Sequence, residues 1–376
     1  MAALAGGRLS LAMTPLAAHL KEVIEGSGPI SVARYMEICL NDPEHGYYRR
    51  RQPIGAEGDF VTAPEVSQMF GELIGLWCAV SWRQMDAPER VNLVELGPGR
   101  GTLMQDALRA VAAEPEFLAA ISLHLVETGE RLRQAQSHSL AGFTPAWHAS
   151  PAALPPGPLI IVANEFFDAL PVHQYELTAT GWRERLVAFG DGGCRLELAE
   201  LPCALKRPGQ VGDVFEQAPA RNDYMAEIAT RLEAQGGVAL IIDYGHTESA
   251  NGDTLQAVRA HRAQSIFAEP GLADLTSHVD FEALGRAAAA VSLHGPLRQG
   301  EFLRRLGIEA RAATLRRSAT PEQSDQISSA LHRLLDARQM GDLFKALALT
   351  RHGAPAPAGF ERVAAPPAAA HGTSTW

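Results

Sequence analysis

Lysine is scarce in this sequence. It occurs at Lys21, Lys206 and Lys345 only, and arginine makes up the rest of the 33 basic residues. That bias follows GC-rich coding and carries no mechanism. Against 43 acidic residues the net charge is −10. Binding duplex nucleic acid requires a basic face, so the balance argues against nucleic acid as the main partner. Cysteine is equally sparse. Cys39, Cys78, Cys194 and Cys203 contain no CxxC pair, which removes the usual zinc and dithiol signatures. They read as buried small hydrophobes in a reducing compartment. The 13 histidines form no HExxH, so no metal is expected. The longest apolar run, near residues 73–80, falls far short of the roughly 20 residues that cross a bilayer. No membrane insertion is expected. Residues 1–13 hold one arginine and no clear signal-peptide core. A cytoplasmic location is therefore expected, with the mitochondrial matrix as the alternative. There is no internal repeat, and oligomeric state is not readable.

What is present is an ordinary globule of 376 residues, 46% hydrophobic and 20% charged. The first ninety residues read as helical and loop-rich. Helices are expected near 14–25 and 31–40, separated by Gly26-Ser27-Gly28-Pro29, and again over 67–84 after Pro64, a residue tolerated at helix starts. From Val91 the pattern changes. Apolar runs at 91–96, 121–127, 158–164 and 238–245 alternate with helical stretches such as 102–113. This predicts an α/β fold, a parallel sheet with helices on both faces. Residues 175–216 alternate with a period of two around Gly190-Asp191-Gly192-Gly193. That is hairpin chemistry, read as an insertion between two sheet strands. Beyond Tyr244 the expectation is a loop to 277, a helix over 278–290 and a strand over 290–294. Helices over 298–306 and 320–340 and a last strand over 343–351 complete the core. The expected organisation is a helical region and cofactor lid over 1–90, a core over 91–351, and a poorly ordered tail over 352–376.

The strongest local signal is ELGPGRGTL at 95–103, where a strand gives way to a helix. Glycines there admit a ligand close to the backbone, and the helix offers free N–H groups. The spacing of Gly97, Gly99 and Gly101 brings the third glycine one place too early for a dinucleotide fingerprint, and Pro98 is unusual for pyrophosphate. Glu95 repels phosphate but welcomes an ammonium. The combination reads as a site for S-adenosylmethionine (SAM), with Thr102 opening the helix. The competing reading is a tight turn and nothing more. Glu127, ending the next strand, is placed to accept from ribose hydroxyls. Asn164, Glu165 and Asp168 follow the strand over 158–163. Glu165 and Asp168, three apart, would share a face of a helical turn and could hold a guanidinium. The alternative is capping, with Asn164 as N-cap. Phe166 and Phe167 read as core. Asp243 and His246 follow the last core strand and could orient substrate, or simply end the strand. Ser277 and Asp280 read as helix capping.

Several stretches together resemble the MidA-like methyltransferases, a family that includes the mitochondrial complex I assembly-factor arginine methyltransferase. They are GYY at 46–48, GDFVTAPEVSQMFGELIG at 58–75, VELGPGRGTLMQDALR at 94–109, HLVET at 124–128, NEFFDALPVHQ at 164–174, GWRE at 181–184, DYGH at 243–246, PGLADLTSHVDF at 270–281, LGIEAR at 306–311 and MGDLFKALAL at 340–349. The resemblance implies a class I, Rossmann-like methyltransferase sheet with a helical N-terminal extension and a β-hairpin insertion. It implies SAM as cofactor, with Glu95, Gly97, Gly99, Gly101 and Glu127 holding it. Gly58, Asp59, Thr62 and Glu65 fall in a signature that resembles a lid over the cofactor. The implied reaction is symmetric dimethylation of arginine in a protein substrate, a complex I 49-kDa-type subunit. A small-molecule methyltransferase and a non-catalytic SAM-binding assembly factor remain as alternatives. A nicotinamide oxidoreductase is disfavoured by Glu95 and the early third glycine.

Overall fold

The computed structural model describes residues 14–50 and 62–361; Gly58 and Asp59 lie outside them. The central sheet is built from Val91–Leu96 (β1), Ile121–Val126 (β2), Ala146–His148 (β3), Leu159–Asn164 (β4), Gly237–His246 (β5), Ser292–Arg298 (β6) and Phe344–Thr350 (β7); all but the short edge strand β3 fall on the predicted runs. Their spatial order is β6-β7-β5-β4-β1-β2-β3. A two-residue strand, Val279–Asp280, pairs with the end of β5. β1 to β5 run parallel. β7 is antiparallel to both β5 and β6, so the sheet is mixed where a parallel one was expected. Every residue of β1 and β4 is buried, because both strands carry helices on both faces. Leu159, Ile160, Ile161 and Val162 expose nothing, each worth about 1.5–3 kcal/mol of burial.

Side chains alternate across the sheet. Leu93, Ile160, Val162, Leu240 and Ile242 join one core with the helix Gln68–Gln84 and the C-terminal helices. Val94, Leu96, Ile161, Ala163, Ala239 and Ile241 join a second core that includes Met225, Ile228 and Leu232 of helix Pro219–Gln235. A third core lies outside the sheet. Helices Pro15–Ser27 and Val32–Asn41 bury Leu20, Ile24, Tyr35 and Met36 against Val172, Val187 and Leu275. The predicted insertion is here: strands His173–Thr178, Gly181–Gly190, Gly193–Leu198 and Val214–Gln217 form one sheet, which Ile30–Ser31 extends. The N-terminal helices thus pack on the insertion as a lobe beside the cofactor end of the sheet.

Three other expectations change. The loop to 277 contains a small sheet of Gln256–Arg259, Arg262–Gln264 and Asp274–Thr276. The helix expected over 278–290 is shorter, Phe281–Ala287. Asp280 caps it through Ala283 N–H at 2.9 Å, but Ser277 does not: its hydroxyl accepts from Arg221 at 2.6 Å. Residues 352–361, expected in a poorly ordered tail, pack on the core. The Trp77 indole donates to the Ala358 carbonyl at 3.1 Å, and Phe360 lies 5.1 Å from Phe302, ring to ring. Residues 362–376 lie outside the described ones.

Candidate functional site: a cleft at the carboxyl ends of β1, β2 and β4

The chain leaves β1 for β2 and β3 on one side and returns to β4 and β5 on the other. Such a reversal opens a crevice at the carboxyl ends of the strands. The glycine loop lies in it. Gly97, Gly99 and Gly101 all adopt left-handed conformations, with φ of 61°, 52° and 84°. A Cβ on Gly97 would come within 2.7 Å of the Phe166 ring, so glycine is required there twice over.

Two spaces that share Gly97, Gly99 and Glu165 in their linings flank the loop. A cavity of about 390 Å³ is lined by Gly97, Gly99, Glu127, Glu165, Phe166 and Tyr224, among others. Asn41, Tyr48 and Arg49 of the N-terminal lobe roof it. Arg49 donates to the Thr128 carbonyl at 3.1 Å and Tyr48 to Asp274 at 3.1 Å. A narrower space of about 40 Å³ is lined by Thr62, Glu65, Glu95, Pro98, Thr102, Asn164 and Glu165. The predicted residues Glu95, Gly97, Pro98, Gly99, Thr102, Glu127, Asn164, Glu165, Thr62 and Glu65 therefore converge, although they come from four separate parts of the chain.

Their side chains are held in place. The Thr102 hydroxyl donates to Glu65 at 2.6 Å, tying the short helix Ala63–Val66 to the glycine-loop helix. Glu127 accepts from Gly129 N–H at 2.6 Å and from the Gln136 amide at 3.3 Å. The same amide donates to the Gly99 carbonyl at 2.8 Å, so Gln136 links the loop to Glu127. Glu165 Oε1 accepts from Ala63 N–H at 2.9 Å and from the Asn164 amide at 3.1 Å. It is not on a helix. Residues 165–170 form a bend, and Glu165 itself has φ of 52°, a costly conformation for a residue with a Cβ. Asn164 ends β4 and is not an N-cap.

Three polar atoms here are shielded from water and have no hydrogen-bond partner among the described residues: Glu95 Oε2, Asn164 Oδ1 and Glu165 Oε2. Buried polar groups are ordinarily satisfied, so the cleft awaits donors. Burial pushes the carboxyl groups of Glu95 and Glu165 up to about 8 and raises Glu127 as well. A cationic ligand would draw these groups into their charged forms.

Other predicted residues lie apart. Asp168 is buried behind the cleft wall, with Oδ1 unpartnered, and lines neither space. Asp243 is wholly buried. Its Oδ2 accepts from Phe167 and Asp168 N–H at 3.0 and 3.2 Å, and its Oδ1 from Tyr244 N–H at 2.9 Å. His246 faces a different cavity of about 420 Å³, 3.9 Å from Asp280. Burial lowers its pKa. Phe167 is core as expected, but Phe166 lines the cleft with Tyr224, ring centroids 5.3 Å apart. Tyr48 of the GYY stretch lines the cleft, as do Arg49 and Tyr224, which the sequence does not single out because they arrive through long-range packing. Gln136, also not singled out, is buried beside the cleft and braces Glu127 and the Gly99 carbonyl.

A family described as "Putative S-adenosyl-L-methionine-dependent methyltransferase" matches residues 73–297. The chain belongs to that family. It is 39% identical over 370 residues to the Drosophila melanogaster "Protein arginine methyltransferase NDUFAF7 homolog, mitochondrial", covering 89% of this chain and 84% of that protein. It is 34% identical over 372 residues to its counterpart from Homo sapiens, covering 90% and 84%. A solved structure from Burkholderia thailandensis, titled a "likely methyl transferase" bound to S-adenosyl-homocysteine, matches with a TM-score of 0.79. It is 29% identical and covers 92% of this chain and 94% of that one. The protein is thus a SAM-dependent methyltransferase with a Rossmann-like sheet, and the cleft has the unsatisfied acceptors that a cationic amino-acid cofactor requires.

Proposed function

We propose that this methyltransferase acts on arginine in a protein substrate, forming symmetric dimethylarginine. A complex I 49-kDa-type subunit is the proposed acceptor, during assembly in the bacterial cytoplasm. The mitochondrial matrix is the alternative, and the relatives' names place those proteins in mitochondria. Those names also specify protein arginine as what they methylate. The observation that carries the reading for this chain is Glu165. Glu165 lines the same narrow space as Glu95 and the glycine loop, and its shielded Oε2 has no partner among the described residues.

In this reading Glu95 receives the cofactor's ammonium and Glu127 its ribose hydroxyls. Gly97, Pro98, Gly99 and Thr102 line the path between, with Thr62, Glu65 and Asn164 closing the narrow end; Gly101 lines neither space and serves through the left-handed turn that starts the helix. Bound SAM supplies an electrophilic methyl group on a sulfonium. The protein's own contribution is alignment and exclusion of water. An arginine guanidinium stays protonated at any ordinary pH. Its arrival beside Glu165 converts that carboxyl to carboxylate, and the N–H···O⁻ bond localises charge on one nitrogen and leaves another to attack. Asp168, expected to share this role, lines neither space and does not reach the guanidinium. Glu165's own proton would leave to water as the guanidinium docks; the attacking nitrogen would take the methyl as its bond to the sulfonium sulfur breaks, leaving a thioether, and would then lose one proton to water.

The test is Glu165→Gln. Turnover should fall by at least about 100-fold while SAM affinity stays within a few-fold of wild type. Full turnover by the variant would remove Glu165 from the chemistry.

A further inference from the structure

Asp243 and Arg221 both bind the bend that carries Glu165, and neither lines the cleft. Asp243 collects N–H groups: Phe167 and Asp168 on Oδ2, Tyr244 on Oδ1. Arg221, only 3% exposed, donates to carbonyls. Its guanidinium reaches Asp168 at 3.0 Å, Leu170 at 3.3 Å, Ser277 at 3.3 Å and His278 at 2.7 Å, and the Ser277 hydroxyl at 2.6 Å. Ser277 N–H adds a bond to the Asp168 carbonyl at 3.1 Å, and Glu165 N–H one to the Ile242 carbonyl at 2.9 Å. Most of the hydrogen bonds of one short, irregular segment thus go to a buried carboxyl and a buried guanidinium. Burial and the neighbouring Asp168 and Glu165 raise the Asp243 pKa, while three N–H donors and Arg221 favour its carboxylate.

We infer that Asp243 and Arg221 form a clamp that forces the 165–170 bend and so holds Glu165 in its left-handed conformation, facing the cleft. They are positioning residues: they touch neither the cofactor space nor an acceptor. The physical reasons are specific. A non-glycine residue keeps a positive φ only where its surroundings over-determine it. Charge-assisted hydrogen bonds are the strong ones. An interior charge also fixes its neighbours firmly, because leaving it unpaired is costly. The clamp explains why the carboxylate at the end of β5 is turned to backbone amides rather than to substrate. Arg221 also lines the neighbouring cavity. The consequence for catalysis rests on the role given to Glu165 above; the clamp itself does not.

Two variants test it. Asp243→Asn keeps the shape but faces at least one of three N–H donors with an amide N–H. Arg221→Lys keeps the charge but loses the planar fork. A crystal structure of each variant with S-adenosyl-homocysteine should show residue 165 out of the left-handed region and its bond to Ala63 N–H lost. Calorimetric affinity for S-adenosyl-homocysteine should stay within about threefold of wild type. Single-turnover methyl transfer into an acceptor protein should slow by about 100-fold for Asp243→Asn, the scale of an ångström's misplacement. If Asp243→Asn does not fold, Arg221→Lys carries the same comparison. Glu165 unmoved in the variant structures would overturn the clamp, as would cofactor affinity falling in step with the rate. If Glu165 moves but transfer is unchanged, the clamp stands and the role given to Glu165 fails.

Discussion

Glu95 illustrates how one residue's surroundings select its ligand. It is 3% exposed, its Oε2 has no partner, and burial holds its carboxyl near 8. A group so raised is largely protonated at neutral pH, and a bound ammonium must displace that proton. SAM binding should therefore release protons below about pH 8, and affinity should rise with pH up to that point. Calorimetry in two buffers of different ionisation enthalpy reads the released proton. Glu95→Gln should weaken SAM by roughly 10-fold or more, the scale of a charged hydrogen bond, and flatten the pH dependence. At Gly97 the argument is steric. Gly97→Ala places a methyl 2.7 Å from Phe166 at a φ of 61°, and equilibrium dialysis should find SAM binding abolished.

At the scale of elements, the strands that build the sheet were legible because burial on both faces leaves continuous apolar runs such as VNLVEL and LIIVAN. The glycine loop was legible because its signal is local. The strands Gln256–Arg259 and Arg262–Gln264 were not: they are short, polar and half-exposed. Helix Ile308–Arg316 was passed over because its apolar residues form no clear stripe, with only Ile308 and Ala312 buried. The bend at 165–170 was read as a helical turn because three-residue spacing of acids fits one. The buried Asp243 and Arg221 that impose the bend lie 75 and 53 residues from Asp168 along the chain. The segment 352–361 looks like a linker by composition but satisfies Trp77 and buries Phe360. Truncation after residue 351 should cost about 3–5 kcal/mol, from one orphaned donor and one lost aromatic. A lower urea midpoint at unchanged slope would show it; an unchanged midpoint would make the segment ornamental.

For the whole molecule, the site is a property of assembly. Its wall comes from the sheet, its roof from Tyr48 and Arg49 of a lobe that packs on the inserted strands, and its back from the helix carrying Tyr224. No stretch of sequence displays that arrangement: a lid over residues 1–90 is an expectation the sequence supports, but which of its side chains reach the cleft depends on packing with the inserted strands. The same burial sets the protein's response to pH. Glu95 and Glu165 stand near 8 in the folded state against an ordinary 4.5. Between those values the folded chain holds protons that the unfolded chain has lost. Stability of the cofactor-free protein should fall as pH rises from about 4.5 to 8, by up to roughly 1.4 kcal/mol per pH unit for each such group. Saturating S-adenosyl-homocysteine should raise the melting temperature at pH 8 more than at pH 5; scanning fluorimetry at the two values decides it.

The most direct measurement of the proposed activity is the identity of the methylated product. Purified protein and methyl-labelled SAM are added to an extract of cells lacking the gene, and labelled bands are hydrolysed to amino acids. The account predicts a single protein band near the 49-kDa-type subunit that yields symmetric dimethylarginine, and no label when Glu165→Gln is used. Label confined to a solvent-extractable small molecule, or on a protein residue other than arginine, would contradict it.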